Sequence, residues 1–553
     1  MKRKYVTRVL GLLLTASMML GLFGCGNDVT QKESSSSKTV EASSSESQTQ
    51  SVEEEVAVTY PMDTDVELDV YFGSMAFRSS AYTSYEESPW HNQISEMTGI
   101  TTNCIPLVQD KAAYILMVST EGEAADLMQC NFGEVSTYAA DGLLLDLTDY
   151  LPEYAPNFWA YINLPENADV KKELMNDEGR FYFIPQIGEK SEENTGGCYM
   201  GPCVRQDWLD ECGLKAPVTI ADWENMLVTF KEKYGATLGG PYDDFRGAGL
   251  ASGFGALANA SAQLVVVDGK VVLGNTLPEW RTYIETMRKW NEMGLFDADF
   301  FTGDRTVVRQ KAAEGKIGAT FTAKSQLTAL LADARETESE ANWVGVEYPR
   351  VAAGEPTSMI QAARGSFTAS ATFVVSSFIE EEKIPVALAW MDYFFTEEGQ
   401  MFTSFGIEGE TYTMVDGQPV FTELVTEDPI GITQASAKYT GNTSSMIGVY
   451  PYAKARALAG QDIAAYDAVV TWVKDSDAWD YLLPTAMSRT VDEQATYADY
   501  WGAIGTYVNE TAAKYIKGEA EIDWDKFMTD LEGMGLQKVL DVNQAAYDRF
   551  LAR

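Results

Sequence analysis

From Val66 to Phe72 the chain reads VELDVYF, with Val66, Leu68, Val70 and Phe72 alternating against Glu67, Asp69 and Tyr71. That period of two predicts a half-buried strand. SPWHNQISEMTGI (88–100) then predicts a helix with Gly99 near its end, and TTNCIPLV (101–108) a second strand. AYILMVSTEGE (113–123) predicts a helix and ADLMQCNF (125–132) a short buried strand. Strand and helix patterns alternating in this way predict βαβ units and an open α/β sheet.

Further along, TIADWENMLVTFKEKYG (219–235) has the marks of a capped helix. Thr219 stands at the N-cap with Asp222 at N3, Trp223, Met226, Leu227 and Phe230 share one face, and Gly235 ends it. VVVDGKVV (265–272) predicts a hairpin turning at Asp268-Gly269. PEWRTYIETMRKWNEMG (278–294) opens on proline and sets Trp280, Tyr283, Ile284, Met287 and Trp290 along one stripe, the spacing of a core-facing helix. PVALAWMDYFFTEEGQMF (385–402) predicts another amphipathic helix, and the last thirty residues one or two more. No internal repeat is present.

The first sixty residues follow a different logic. Lys2, Arg3, Lys4 and Arg8 precede an apolar stretch, Val9 to Phe23, of signal-peptide rather than membrane-span length. Leu22-Phe23-Gly24-Cys25 resembles the lipobox of bacterial lipoproteins, with Phe23 bulkier than usual at its position; the resemblance implies that Cys25 is lipidated and begins the mature chain. Residues 27–58 are mainly Ser, Glu, Gln, Thr and Lys. Such a composition has no apolar face to offset the entropy of ordering, so a flexible tether is expected. About 33 such residues reach on the order of 30 Å.

Nearly 500 residues remain, enough for two large lobes. The formal charge is −41, from 82 acidic against 41 basic residues. That surface repels nucleic acid and anionic headgroups, so no nucleic-acid partner is expected. Apart from Cys25 there are five cysteines, Cys104, Cys130, Cys198, Cys203 and Cys212, an odd number that leaves at least one unpaired within the chain.

His91 is the sole histidine, in SPWHNQ at a helix start, with no G-x-S-x-G anywhere. Triad hydrolases and H-E-x-x-H zinc enzymes therefore have nothing to work with. G-x-x-x-x-G-K-[ST] and G-x-G-x-x-G are absent. DSDAWD (475–480) lacks the glycine of an EF-hand loop. Paired carboxylates could still serve a surface glycosidase, but 82 acids single out no pair.

Several segments, in order, resemble the extracellular solute-binding proteins of ABC importers (family 1), in the long lipid-anchored branch that takes up oligosaccharides. They are DEGRFYFIPQ (177–186), VRQDWLDECGLKAPVTIADWENML (204–227), MRKWNEMGLFDADFF (287–301), EGKIGATF (314–321), LAWMDYFFTEEGQMFTSFGIEGETYTM (388–414) and LEGMGLQKVLDVNQAAYDRF (531–550). The resemblance implies an α/β, two-lobed fold of the periplasmic-binding-protein type (type II). Crossing strands would join the lobes around a central ligand cleft, with hinge closure on a solute. YFIPQI would be the first crossing and TASATFVVSS the second, with a third after GIEGETYTM.

The expected division is 1–24 signal peptide, 25–60 lipidated cysteine and linker, 61–186 lobe 1, 187–370 lobe 2, 371–414 back in lobe 1, and 415–553 a helical part mainly with lobe 2. The implied role is a monomeric receptor, not an enzyme, anchored by lipid on the outer face of a Gram-positive cell membrane. It would hand an oligosaccharide to an ABC permease; a peptide receptor and a surface glycosidase are the alternatives. Many relatives carry a calcium loop after the 219–235 helix. Here that place reads KEKYGATLGGPYDDF (231–245), without regularly spaced oxygen ligands, so no metal and no cofactor is expected.

A sugar presents an apolar C–H face and a rim of hydroxyls, so its receptor needs aromatic platforms and polar partners. Loop aromatics outside helical stripes are the candidates: Phe77, Tyr82 and Tyr85 after the first strand, and Phe132 beside Asn131 after the third. Tyr242, Phe245 and Phe254 in the glycine-rich 239–256 stretch, and Tyr450 and Tyr452 in GVYPYAK, complete the aromatics. Gln186, Arg205 and Asp207 supply polar groups, although Arg205 and Asp207 could instead pair with each other.

Overall fold

The structure, a computed structural model, describes residues 58–72, 85–105, 125–131, 135, 138–188, 198–361, 368–441, 447–450, 452–460 and 463–553. The 113–123 helix and the tether therefore lie outside the described residues.

One sheet is built from β1 (Glu67–Tyr71), β2 (Thr101–Cys104), β3 (Leu127–Asn131), β4 (Ile184–Gly188), β11 (Thr368–Val375) and β14 (Gly448–Tyr450). Its order is β14-β4-β11-β3-β1-β2, and β11 alone runs against the others. The alternation read in VELDVYF puts Leu68 and Val70 in the core while Glu67 and Asp69 face out. The following helix, Pro89–Thr98, starts on proline and ends at Gly99 in the left-handed conformation, whose N–H bonds the Ser95 carbonyl. Trp90 and Ile94 on its inner face are buried, each contributing about 1.5–3 kcal/mol of apolar transfer.

The stretch expected as one amphipathic helix is broken in two. Ile384–Asp392 and the turn 393–395 are buried on every side, so no polar face exists for a single amphipathic rod. Thr396 then accepts the Gly399 N–H and caps a fresh helix, Glu397–Phe405. Only glycine fits at 399, because an added Cβ would collide with the Tyr393 carbonyl oxygen.

A second sheet holds β5 (Met200–Arg205), β6 (Thr237–Gly239), β9 (Ile317–Ala323) and β10 (Trp343–Gly345) in the order β10-β5-β9-β6. β6 runs parallel to β9, and β5 antiparallel to it. The Ile220–Tyr234 helix carries the capping box read from Thr219 and Asp222, and Trp280, Tyr283, Ile284, Met287 and Trp290 are all buried. β7 (Leu264–Val267) and β8 (Lys270–Leu273) form the predicted hairpin, with Asp268 and Gly269 both at positive φ.

The chain passes to the second sheet after Gly188, returns at Thr368, and then stays longer than the expected 371–414. Where a third crossing was expected after Met414, β12 (Tyr412–Val415) instead turns at Asp416-Gly417 into β13 (Gln418–Phe421). Asp-Gly with both φ values positive is a two-residue hairpin turn, which sends the chain back rather than across. The passage comes after β14, where helix Ala453–Ala459 is followed by Ile463–Val473, lying on β5 and β10. Glycines at 201 and 345 admit that helix, because a Cβ there would collide with the Trp472 ring and with Ala468 respectively.

Helices Val491–Ile516, Trp524–Gly533 and Leu536–Ala552 complete the second lobe, with Ile504, Val508 and Val539 in the core cluster that holds Trp280. The last helix also reaches lobe 1. Arg549 and Arg553 both donate to the Asp177 carboxylate, at 3.0 and 2.9 Å, and Arg553 donates to the Met175 and Ala486 carbonyls. No helix among the described residues is long and apolar enough to cross a membrane.

Candidate functional site between the sheets

Strand direction decides which residues share an edge. In the first sheet β1, β3, β4 and β14 all point the same way, so their carboxyl ends fall on one side. Asn131 ends β3, Gln186 lies two residues before the end of β4, and Tyr450 ends β14. Open α/β sheets bind ligands outside such carboxyl ends. Phe77, Tyr82 and Phe132, which follow β1 and β3 in the chain, lie outside the described residues. Gln186 is in register with Gly448, and its Nε2 is buried without a hydrogen-bond partner. An orphaned donor of this kind costs about 1–3 kcal/mol unless something else meets it.

The matching edge of the second sheet lies at the carboxyl ends of β6 and β9. Because β5 runs against β9, its amino end is there too: Met200 pairs with Ala323, and the Tyr199 carbonyl accepts the Lys324 N–H. Tyr199 is 47% exposed, an unusual state for a large aromatic. Its hydroxyl meets the Gln361 amide at 3.1 Å. Arg305 lies within its electrostatic reach and is gripped by Asp244 through two bonds of 2.8 and 2.9 Å. Those bonds hold the Arg305 guanidinium above its ordinary range. Gly240, Pro241, Arg305, Arg309, Thr320 and Thr322 line a shallow crevice on this edge. Arg246, on the same short helix as Asp244, has a buried Nε without a partner.

The other expected residues fall elsewhere. Arg205 is 1% exposed, bonds Asp207 and Glu338, and stacks over Trp208 at 4.3 Å. The pairing alternative is thus what the structure shows, and Arg205 stands at the far end of β5, about 20 Å along the strand from Tyr199. Phe245 is wholly buried against Phe296, Phe300 and Phe321. Tyr242 is 9% exposed, and Phe254 packs on Tyr283 at 5.6 Å. Tyr242 and Phe245 lie on the inner face of the Tyr242–Ala248 helix, and Phe254 packs against the same core from the turn that follows. Tyr452 packs on Phe405, and the Tyr85 hydroxyl donates to the Phe72 carbonyl. His91 is buried among Phe72, Tyr85 and Trp90, with Nδ1 2.9 Å from Ser88 Oγ.

Tyr199, Gln361, Arg305 and Asp244 were not singled out by sequence. The one signal for Tyr199 was its position, an aromatic between two cysteines directly after the first crossing. Cys198 and Cys203 are free buried thiols, Cys198 being pushed by burial up to about 12.

Two curated relatives align with the chain. Lipoprotein LipO of Bacillus subtilis is 28% identical over 297 residues, covering 51% of this chain and 55% of LipO. The fructooligosaccharide ABC transporter substrate-binding protein FusA of Streptococcus pneumoniae is 21% identical over 452 residues, covering 76% of this chain and 78% of FusA. The chain thus spans about half of LipO's length. Among solved structures, FusA in complex with kestose superposes with a TM-score of 0.65 at 18% identity, covering 88% of this chain and 100% of that one. Alginate-binding protein AlgQ2 without calcium ion gives 0.62 at 19% identity, covering 89% and 99%. These likenesses show the fold: two α/β lobes in the type II arrangement.

After the Ile220–Tyr234 helix the chain runs through Gly235 and Ala236 straight into β6. Among the described residues no group of three or more His, Cys, Asp or Glu is placed to hold a metal ion.

The model of the bacterial extracellular solute-binding proteins matches residues 110–401, a little over half of the chain, which therefore belongs to that family.

Proposed function

We propose that this protein is a receptor that captures an oligosaccharide between its lobes outside the cell and delivers it to an ABC transporter permease. It does so as a monomer without catalysis of its own. The observation that carries the reading is an exposed Tyr199 beside Gln361 and the Arg305–Asp244 pair at the edge of one sheet, with the unpartnered Gln186 amide at the carboxyl end of β4 in the other. A ring face suits the C–H side of a sugar, and an amide, a carboxylate and a guanidinium suit its hydroxyls. The fold shared with kestose-bound FusA supports the choice of solute. Arg305 is already neutralised by Asp244, which favours a neutral glycan over a uronate on a chain of charge −41. Asn131, Phe132, Phe77, Tyr82 and Tyr450 complete the proposed lobe 1 wall.

Cys25 is the proposed lipidation site after removal of a signal peptide, with the serine-rich stretch as a leash on the outer face of the membrane of a Gram-positive bacterium. Thermal shift and calorimetry with kestose, alginate oligomers and tripeptides test the solute. Saturable stabilisation by intact kestose, following RT ln(1 + [L]/Kd), is the expected result. Hydrolysis of the sugar, or preference for tripeptide or alginate, would overturn it.

A further inference from the structure

The outer face of lobe 1 carries a feature that the solute site does not use. Met97 at the end of the Pro89–Thr98 helix, Met401 and Phe402 on the Glu397–Phe405 helix, and Ile407 with Tyr412 floor a groove of about 510 Å³. Glu397, Glu398 and Glu408 stand at its rim, all exposed. None of the three lies within ion-pair distance of a basic side chain among the described residues.

Tyr412 opens β12, and Met414 follows it on the same face of that hairpin. Met414 is 45% exposed, Val415 50% and Val420 41%, and Leu424 and Ile430 follow at 46% and 39%. Five of the thirteen large exposed apolar side chains described thus fall between Met414 and Ile430. The register puts Met414 on the same face of the hairpin as Tyr412 and Phe421, which join Phe405, Val425, Ala435 and Tyr439 in a small core at its base, and puts Val415 and Val420 on the opposite face. Single exposed apolar residues need no explanation, whereas Met414 continues the apolar floor of Met97, Met401, Ile407 and Tyr412, and such a floor marks an interaction surface.

The charge of the segment selects what can cover it. From Ile384 to Ala437 the sequence holds nine acidic residues and no Lys, Arg or His. A second copy of a −41 chain would bring like charge to like. An anionic membrane surface would be repelled in the same way. We propose that this groove and hairpin form a docking surface for a cationic amphipathic segment of another protein, its apolar side on Met401 and Met414 and its Lys or Arg residues on Glu397, Glu398 and Glu408. Methionine-floored grooves adapt well to such helices, and the acidic rim sets orientation and encounter rate.

The test uses the exported chain and an 18-residue Lys/Leu amphipathic helical peptide, with a Glu/Leu peptide of the same apolar pattern as its counterpart. Calorimetry should give one saturable site for the Lys/Leu peptide, weakening as salt rises, and none for the Glu/Leu peptide. The Glu397→Gln/Glu398→Gln/Glu408→Gln variant, and separately Met414→Ser, should each weaken binding at least tenfold. A remote triple of exposed acids, Glu336→Gln/Glu340→Gln/Glu355→Gln, should change it less than twofold. All three variants should keep the wild-type melting curve and kestose affinity, so a failed solute assignment would leave this test readable. Equal loss from the remote triple would reduce the effect to bulk charge and overturn the proposal. So would unchanged binding in the groove variants, tighter association with phosphatidylglycerol vesicles, or self-association in sedimentation.

Discussion

The Gln361 side-chain amide donates to the Tyr199 hydroxyl at 3.1 Å across a separation of 162 residues in the chain. Tyr199 is the second described residue after the first passage between the sheets, and Gln361 is the last before the second passage. The tie joins the residue before β5 to the stretch that precedes β11, and holds the exposed Tyr199 ring at that edge of the second sheet.

Substitution of Tyr199 separates ring from hydroxyl. Tyr199→Phe should weaken kestose binding by about 0.5–1.5 kcal/mol through the lost tie. Tyr199→Ala should add about 0.5–1.5 kcal/mol for the lost ring contact and more for its area. Isothermal titration measures both. Equal, near-zero effects would remove Tyr199 from the site.

Asp177 is the acceptor that joins lobe 1 to the final helix. Burial works to raise its carboxyl, but hydrogen bonds from Arg553 and Arg549 outweigh that and hold it below the usual carboxylate range. Asp177→Ala leaves Arg553, 2% exposed, without its carboxylate partner. The expected loss is about 2–3 kcal/mol, below the value for a fully buried pair because Asp177 is partly exposed. Urea denaturation reads it. The sign with pH follows from the lowered carboxyl: the stabilisation is present above the unfolded carboxylate pKa and fades as pH falls through the folded one.

Asp392 should behave in the opposite sense. Burial pushes its carboxyl up to about 6, against the Phe158 N–H, the Asn157 amide and the Tyr60 hydroxyl, which pull it down. The folded state therefore holds the proton more tightly than the unfolded one. Its contribution is complete below pH 3.8 and is lost as pH rises through about 6. Relative to wild type, Asp392→Asn should gain about 3 kcal/mol between those limits. Parallel stability curves for the two proteins would show that Asp392 does not titrate in this window.

Cys25→Ala tests the anchor. Membrane fractionation should show the variant released or carrying its uncleaved leader, with labelled palmitate absent. Normal processing and retention would end the lipoprotein reading.

Much of the fold was legible because local patterns carried it. The Thr219–Asp222 capping box and the Asp268-Gly269 turn each express a short-range rule and appear as read, and the alternation in 66–72 holds from Glu67 to Val70 but breaks at Tyr71, which is buried along with Val70 and Phe72. The family likeness around 388–414 misplaces the third passage, although Asp416-Gly417 carries the same turn signal as Asp268-Gly269. Of the candidate residues, the sequence pattern placed some together and scattered others. Candidates at the ends of β3, β4 and β14 fall on one edge because those strands are parallel to one another. Arg205 and Asp207 went astray because β5 is antiparallel to β9, and strand direction leaves no trace in periodicity. Tyr242 and Phe245 did so because the partner packed against a short helix decides which of its faces is inner.

The cluster around Asp177 has a consequence for how the lobes can move. Two bodies joined by loose connectors alone have three rotations to lose when a ligand holds them together. Arg549 and Arg553 pin one corner of lobe 2 to the turn beyond Met175, so part of that freedom is already restricted when the chain folds. A solute held between the two edges would then have fewer relative orientations of the lobes to arrest. Loss of Asp177 should then appear in solute binding as a more unfavourable entropy, with the enthalpy of contact nearly unchanged.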